Sequence, residues 1–271
     1  MKTESTFLKH EPCPSCGSGN NLARYSDGHA HCFTAGCGHR ERGNGTASDF
    51  APSQPTRAYE MTGVIAAIPD RRISQKIAQK FGVTVEFSPE GKIVKHHYPY
   101  YDKDNNKPTG SKVRQVETKG FYATGNFDNV GLFGQQVGRE GGKYITITEG
   151  EADALAVSEM FEGKWPVVSI RSGAAAAAKD IKANLDWLET FDNIIICFDN
   201  DKAGQEAAQS VLGLFTPNKA KNVVLPLKDA GDMLKANKVR DFTDAWWDAK
   251  AYRPDGIVSG LDTWDMLQEQ K

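Results

Sequence analysis

The sequence predicts an α/β protein with a small β module at its N-terminus, and three observations predict it. First, residues from about 143 to 245 repeat a short apolar run followed by a helical pattern. That alternation is the mark of a doubly wound, mostly parallel sheet with helices on both faces. Second, four of the five cysteines fall within 25 residues near the N-terminus. Third, residues 60–142 read as short helices and antiparallel strands, a mixed β region placed between the other two.

The bulk composition narrows the class. Apolar residues make up 39% of 271, with 5 Trp, 13 Phe and 8 Tyr, enough for a buried core. No apolar run reaches membrane length, and the opening MKTESTFLKHEP lacks the apolar segment of a signal peptide. A cytoplasmic protein without a membrane partner is therefore expected. The net charge is −2, but it is unevenly spread. Residues 60–145 hold 13 Lys and Arg against 9 Asp and Glu, and residues 146–249 hold 11 against 17. A basic block beside an acidic one suits a polyanion held against a metal site, although ordinary surface variation gives similar counts.

The N-terminal module spans residues 1–43. Its cysteines, Cys13, Cys16, Cys32 and Cys37, have the spacing C-x2-C-x15-C-x4-C. In a cytoplasmic chain that pattern favours metal over disulfides. Two knuckles supplying four thiolates make a tetrahedral zinc site, and zinc then stands in for a core that about 40 residues cannot build. Asp27-Gly28 between partly apolar flanks signals a hairpin, so the module reads as a zinc ribbon. The wide second knuckle leaves His31 and His39 as competitors for the fourth ligand; Cys37 is preferred because Gly38 follows it. Exposed His, Arg24, Tyr25 and Phe33 suit base reading and stacking, and a purely structural or protein-binding ribbon is the alternative. Cys197, inside IIICF, is expected in the core.

A Gly-, Ser-, Thr- and Pro-rich tether follows at 44–59. In the 60–142 block, SQKIAQKFG predicts a helix that stops at Gly82. A strand through KIVKHHYPYYD, a turn at Asn105–Asn106 and a second strand through SKVRQVETKGFYAT come next. Lys112, Arg114 and Lys119 lie along that second strand, with Lys112 and Arg114 on one face. They suit triphosphates or a template backbone; a solvated outer face is the alternative.

The acidic block, 143–248, carries the chemistry. Strands are expected at 144–148, 167–170, 194–198 and 222–227, with helices at 151–161, about 175–189 and 202–214. Two strands end on carboxylates, Glu149 in TEGE and Asp199 and Asp201 in FDND. Ligands of open α/β sheets bind at such strand ends, and acids this close need a cation. Mg2+ prefers few carboxylates and leaves positions for substrate oxygens. Asp229, expected at the next strand end, joins the cluster, and Asp232 is placed at a helix start. Glu151 and Asp153 are explained by the helix dipole, which favours acids in a first turn.

These residues resemble a known family. TEGE-x-D followed by FD-x-D-x-AG is similar to the Toprim domain of primases, topoisomerases and nucleases. The four-cysteine ribbon, SDGH, the tether, KVR, TEGE-x-D, FD-x-D-x-AG, LP-x-KDA and the terminal RPDGIVSG follow the order of the primase part of T7-type bacteriophage primase–helicases. The resemblance implies a DNA-dependent RNA polymerase that makes short primers on single-stranded DNA from ribonucleoside triphosphates. It implies one structural zinc on Cys13, Cys16, Cys32 and Cys37, and Mg2+ or Mn2+ on Glu149, Asp199 and Asp201, with Asp229 assisting. Lys112, Arg114 and Lys119 would lie near nucleotide phosphates, and His29 would contact a template base. A replicative helicase, in cis or in trans, and a DNA polymerase are the implied partners. The sequence has no G-x4-GK[ST] and hence no helicase nucleotide site of its own. Residues 249–271 are expected to be a linker and helix, and the chain to be either one part of a primase–helicase or a helicase-free primase. A Toprim nuclease using the same acids, and a RecR-like clamp that binds DNA without catalysis, are the competing readings.

Overall fold

The structure is a computed structural model that describes residues 5–34, 37–43 and 59–251. The expected tether, apart from Tyr59, and the expected helix near the C-terminus lie outside the described residues. The N-terminal module is a four-stranded antiparallel sheet in sequential order: β1 (Phe7–Glu11), β2 (Leu22–Tyr25), β3 (Ala30–Cys32) and β4 (Arg40–Glu41). Asp27-Gly28 turns the β2–β3 hairpin, with Gly28 at φ 86° and the Tyr25 amide donating to the His29 carbonyl. The buried apolar residues described there are Cys13, Leu22, Ala23, Ala30 and Cys32. So little apolar area cannot offset the chain entropy of folding, which leaves the clustered thiols as the place where a metal would stabilise the module.

In the basic block, α1 (Gln75–Phe81) starts at Ser74, whose hydroxyl accepts from the Ile77 amide, and stops at Gly82 with φ 71°. Four strands follow in sequential antiparallel order: β5 (Thr84–Phe87), β6 (Ile93–Tyr101), β7 (Pro108–Gln115) and β8 (Phe121–Gly125). Two differences from the sequence reading matter. The run expected as one strand over Ser111–Thr124 is two strands, and Lys119 sits in the turn between them at φ 57°. The Gln115 amide closes that turn onto the Gly120 carbonyl, and the Thr118 hydroxyl accepts from the Gly120 amide. The face bearing Lys112 and Arg114 also points inward. Lys112 pairs with Tyr98, and Arg114 pairs with His96, which pairs with Val85; all three partners are buried. The solvated outer face weighed as the alternative is therefore not found, and the opposite face, with Ser111 and Val113, is buried too.

The acidic block alternates as expected. It comprises β9 (Ile145–Thr148), α2 (Glu151–Met160), β10 (Val167–Ser169), α3 (Ala177–Lys182), α4 (Leu185–Leu188), β11 (Ile194–Cys197), α5 (Lys202–Leu212), β12 (Ala220–Asn222), α6 (Ala230–Lys235), α7 (Val239–Trp247) and β13 (Lys250–Ala251). The sheet order is β10-β9-β11-β12-β13, parallel except for β13 at the edge. Ile194 and Ile196 face one core, and Ile195 and Cys197 the other. The second of these cores continues through Leu155 and Trp246 into Phe81, Tyr98, Tyr100 and Phe133, so the two blocks share one interior. The helix expected over 175–189 is broken at Asn184, whose side-chain amide donates to the Asp180 carbonyl. The strand expected over 222–227 ends at Asn222. Beyond it the chain is drawn off the sheet by Asn200, whose backbone and side-chain amides donate to the carbonyls of Lys228 and Leu225. Among the described residues no helix is long and apolar enough to cross a membrane.

Candidate metal centre and nucleotide cleft

Strand register brings the acids to one edge of the sheet. β9 and β11 are parallel neighbours, with Thr148 opposite Cys197. One or two residues beyond that level stand Glu149 and Asp199, at the carboxyl edge of the sheet. Asp201 follows as the cap of α5, accepting the Gly204 amide at 2.9 Å. Gly204 must lack a side chain, since a Cβ there would collide with the Asp199 carbonyl. Asp229 is not at a strand end, as expected from sequence; it caps α6 by accepting the Asp232 amide at 2.6 Å. The Asn200 hydrogen bonds bring it in. Asp232 pairs outward with Lys235.

Electrostatics shows which acids feel one another. Burial raises the pKa of Glu149, and the charges of Asp199 and Asp201 add to the rise. Burial also raises that of Asp199, against the pull of Lys228 at 3.3 Å, with Asp229 and Asp201 pushing the same way. Asp153 is pushed up to about 7, by desolvation first and then by Asp229 and Asp199. It accepts the Gly231 amide at 3.0 Å, from the first turn of α6. Asp153 is therefore part of the cluster, a role that the helix-dipole account in the sequence reading missed. The signal was available in its spacing, four residues after Glu149 and one helical turn into α2.

Carboxylates that raise one another's pKa are a site short of positive charge. The Glu149 Oε2 atom is buried without a hydrogen-bond partner, while Oε1 accepts the Ala174 amide at 3.3 Å. An orphaned acceptor beside repelling acids suits a divalent cation.

Glu151 was the second acid read as a helix starter. It is buried, accepts the Tyr100 hydroxyl at 2.6 Å and pairs with Lys112 at 2.5 Å. Lys112 also donates to the Arg171 carbonyl at 2.9 Å. The basic strand is thus tied to the first turn of α2, next to Glu149. Arg114 is 9% exposed and forms no ion pair among the described residues. Arg71, which the sequence reading passed over, adds its charge beside Arg114, and its Nε is buried without a partner. Lys119, in the β7–β8 turn, is not brought into this group.

In the ribbon the Cys13 and Cys37 sulfurs lie 3.5 Å apart, and those of Cys16 and Cys32 3.7 Å. All four lie within 4.8 Å of one another, the one group of that kind among the described residues. Zinc–sulfur bonds of about 2.3 Å in a tetrahedron place sulfurs about 3.8 Å apart, so the group fits zinc. Neither histidine competes: His39 pairs with Glu41, and the His31 ring packs on Phe33. His29 stacks on Tyr25 at 4.2 Å and bonds Asp27 at 2.6 Å, on the ribbon surface. A cavity of about 300 Å³ lies between the two modules. Cys16, Thr34 and Cys37 line its ribbon side, and Lys112, Arg171 and Lys179 line the other.

Comparison with known proteins places this geometry. Residues 146–235 match a family model described as Toprim-like. The crystal structure of the primase fragment of the bacteriophage T7 primase–helicase is 33% identical, with a TM-score of 0.64. The match covers 89% of this chain and all of that one. The chain belongs to the T7-type primase–helicase family, to its primase part. The DNA helicase/primase of Enterobacteria phage T3 is 34% identical over 280 residues, covering 98% of this chain and 48% of that protein. This chain thus spans about half the length of its curated relative. A further match, 34% identical with a TM-score of 0.63, covers 70% of this chain and 94% of the other. It is to primase domains of T7 gp4 captured with a lagging-strand DNA polymerase, an RNA/DNA hybrid and dTTP.

Proposed function

We propose that this chain is a DNA primase, a template-directed polymerase that joins ribonucleoside triphosphates into short primers on single-stranded DNA. The observation that carries the reading is the junction at α2. Glu149 stands at the metal-seeking edge, and two residues on Glu151 grips Lys112 of the basic strand. Acids for metal and cations for phosphate therefore adjoin at the start of α2.

Glu149, Asp199 and Asp201 would hold Mg2+ or Mn2+, with Asp229 and Asp153 completing the negative field. Bound there, such an ion lowers the pKa of an attacking hydroxyl and neutralises a pyrophosphate leaving group. The chain's own part is positioning and charge placement. Lys112, Arg114 and Arg71 orient the triphosphate, so that a 3′-hydroxyl meets an α-phosphate with little loss of freedom left to supply. Lys119 stands in the β7–β8 turn and would reach phosphates only with that turn bent toward Lys112 and Arg114. Cys13, Cys16, Cys32 and Cys37 hold one structural zinc. His29, stacked and hydrogen-bonded on the ribbon surface, reads a template base. A helicase and a DNA polymerase are the partners this reading assigns, in the cytoplasm of a host cell, as the phage relatives suggest. The domain limits are those of the sequence: ribbon to 43, tether to 59, basic block to 142, Toprim block to 248. Neither the nuclease nor the clamp alternative gains support, since the relatives matched across the chain are primases.

The test is dinucleotide synthesis on single-stranded DNA with Mg2+. Asp199→Asn should lower the rate by on the order of a hundredfold or more, with circular dichroism and melting close to wild type. Undiminished synthesis by that variant would refute the assignment.

A further inference from the structure

Phe121 opens β8 and stands at the end of a cross-strand row that runs Val85, His96, Arg114, Phe121. The inner three are buried, and Phe121 is 55% exposed. Its face is that of Lys112 and Arg114, because residues paired across antiparallel strands share a side. It therefore looks into the cleft. The Lys112 ammonium lies over the ring, 5.6 Å from its centroid. An exposed aromatic on an edge strand is a liability that folded proteins remove unless something covers it. Here a cation lies over the ring, which is otherwise more than half exposed.

We infer that Phe121 is a stacking platform for the nucleobase of a bound ribonucleoside triphosphate, with Lys112 and Arg114 taking the phosphates. The inference rests on the priming reading of the cleft and adds a subsite to it. Three features favour a free nucleotide over a single strand as the occupant. Lys112 is fixed at the cleft by Glu151 and the Arg171 carbonyl, rather than aligned along the strand. Arg114 is buried one strand in from Phe121, and the half-buried Arg71, with an unpartnered Nε, adds a second guanidinium charge nearby, which suits a compact triphosphate. The third basic residue, Lys119, stands apart in the turn and does not continue the line of Lys112 and Arg114 along β7. Stacking is indifferent to base identity, since every base offers a π face. The platform would raise affinity without choosing the base.

The test is equilibrium binding of ATP and of CTP, with Mg2+, to the full chain, set beside binding of a single-stranded oligodeoxynucleotide. Phe121→Ala should weaken both nucleotides by about tenfold and leave the oligodeoxynucleotide unchanged. Phe121→Trp should restore nucleotide binding, and Phe121→Leu should resemble the alanine variant, because a flat π surface and not apolar bulk is what acts. Unchanged nucleotide affinity in Phe121→Ala would overturn the inference. So would a loss confined to the oligodeoxynucleotide. Binding is read separately from synthesis, so the two readings fail separately. Phe121-dependent binding in a chain that makes no dinucleotide supports the platform while sinking the primase assignment, whereas normal synthesis with Phe121-independent binding sinks only the platform.

Discussion

Asp153 and Glu151 sit two residues apart in one helical turn, yet they are held for opposite reasons. Glu151 is buried with its charge matched by Lys112 and its oxygen bonded by Tyr100. Asp153 is pushed up to about 7 by desolvation and by Asp229. The sign of its effect on stability follows from linkage. An acid whose folded pKa exceeds its unfolded value of 3.8 binds more protons folded than unfolded. Its stabilising contribution is full below pH 3.8 and is lost as pH rises through about 7. With chelator present, the Toprim block should melt several degrees higher at pH 6 than at pH 8. Asp153→Asn should flatten that difference and raise the melting temperature at pH 8. A profile equal to wild type in differential scanning calorimetry would contradict the placement of Asp153 in the cluster. Glu151→Gln makes the converse prediction. It leaves Lys112 without its charge partner and should cost about 2 kcal/mol by urea unfolding. The nucleotide KM should also rise, because the lysine is no longer held at the cleft.

At the scale of elements, α5 and α6 are both capped by acids that the proposed metal site would also use. Asp201 and Asp229 each accept an amide from the first turn of the helix they start. Capping and metal holding separate by substitution. Asp201→Ser keeps an acceptor and should stay within about 0.5 kcal/mol of wild type, whereas Asp201→Ala should lose about 1 kcal/mol. Both should lose most dinucleotide synthesis, because neither carries a carboxylate. Equal activity in the serine variant would mean that Asp201 is a cap and nothing more. These elements also show what the sequence could reveal. The β9–α2 and β11–α5 units were legible because an apolar run, an acid and a helical period follow one another within twenty residues. β12 was misplaced because Val223, Val224 and Leu225 read as strand, while Val223 makes the last ladder bond, to Ile196, and Leu225 is instead bonded by Asn200, far off in sequence. The inward turn of Lys112 and Arg114 was likewise unreadable, since alternation fixes which residues share a face but not which face meets the neighbouring block. Arg71 escaped because its importance lies in an unpaired buried Nε, a fact of packing alone.

At the scale of the whole molecule, the chain is two folding problems of unequal size. The larger body has one shared interior running from Phe81 to Trp246, so its two blocks should melt together. The ribbon buries only Cys13, Leu22, Ala23, Ala30 and Cys32 among its described residues, so its stability would be the binding free energy of the zinc proposed for it. Removing metal should therefore unfold residues 5–43 and leave the body intact. The prediction is a two-step loss in hydrogen exchange. After treatment with a strong chelator, amides of β1 to β4 should exchange at unfolded rates while those of β9 and β11 stay protected. Cys37→Ser should behave like the chelated protein and bind less than one zinc per chain by mass spectrometry, and His39→Ala should behave like wild type, because His39 is engaged with Glu41. The reverse pattern would make His39 the fourth ligand despite the sulfur distances. The ribbon also closes one side of the cavity that Lys112, Arg171 and Lys179 line, so metal loss should reach the cleft. Template-directed synthesis should fall on chelation of zinc alone, while triphosphate binding in the body persists, since none of the cations assigned to phosphate belongs to the ribbon.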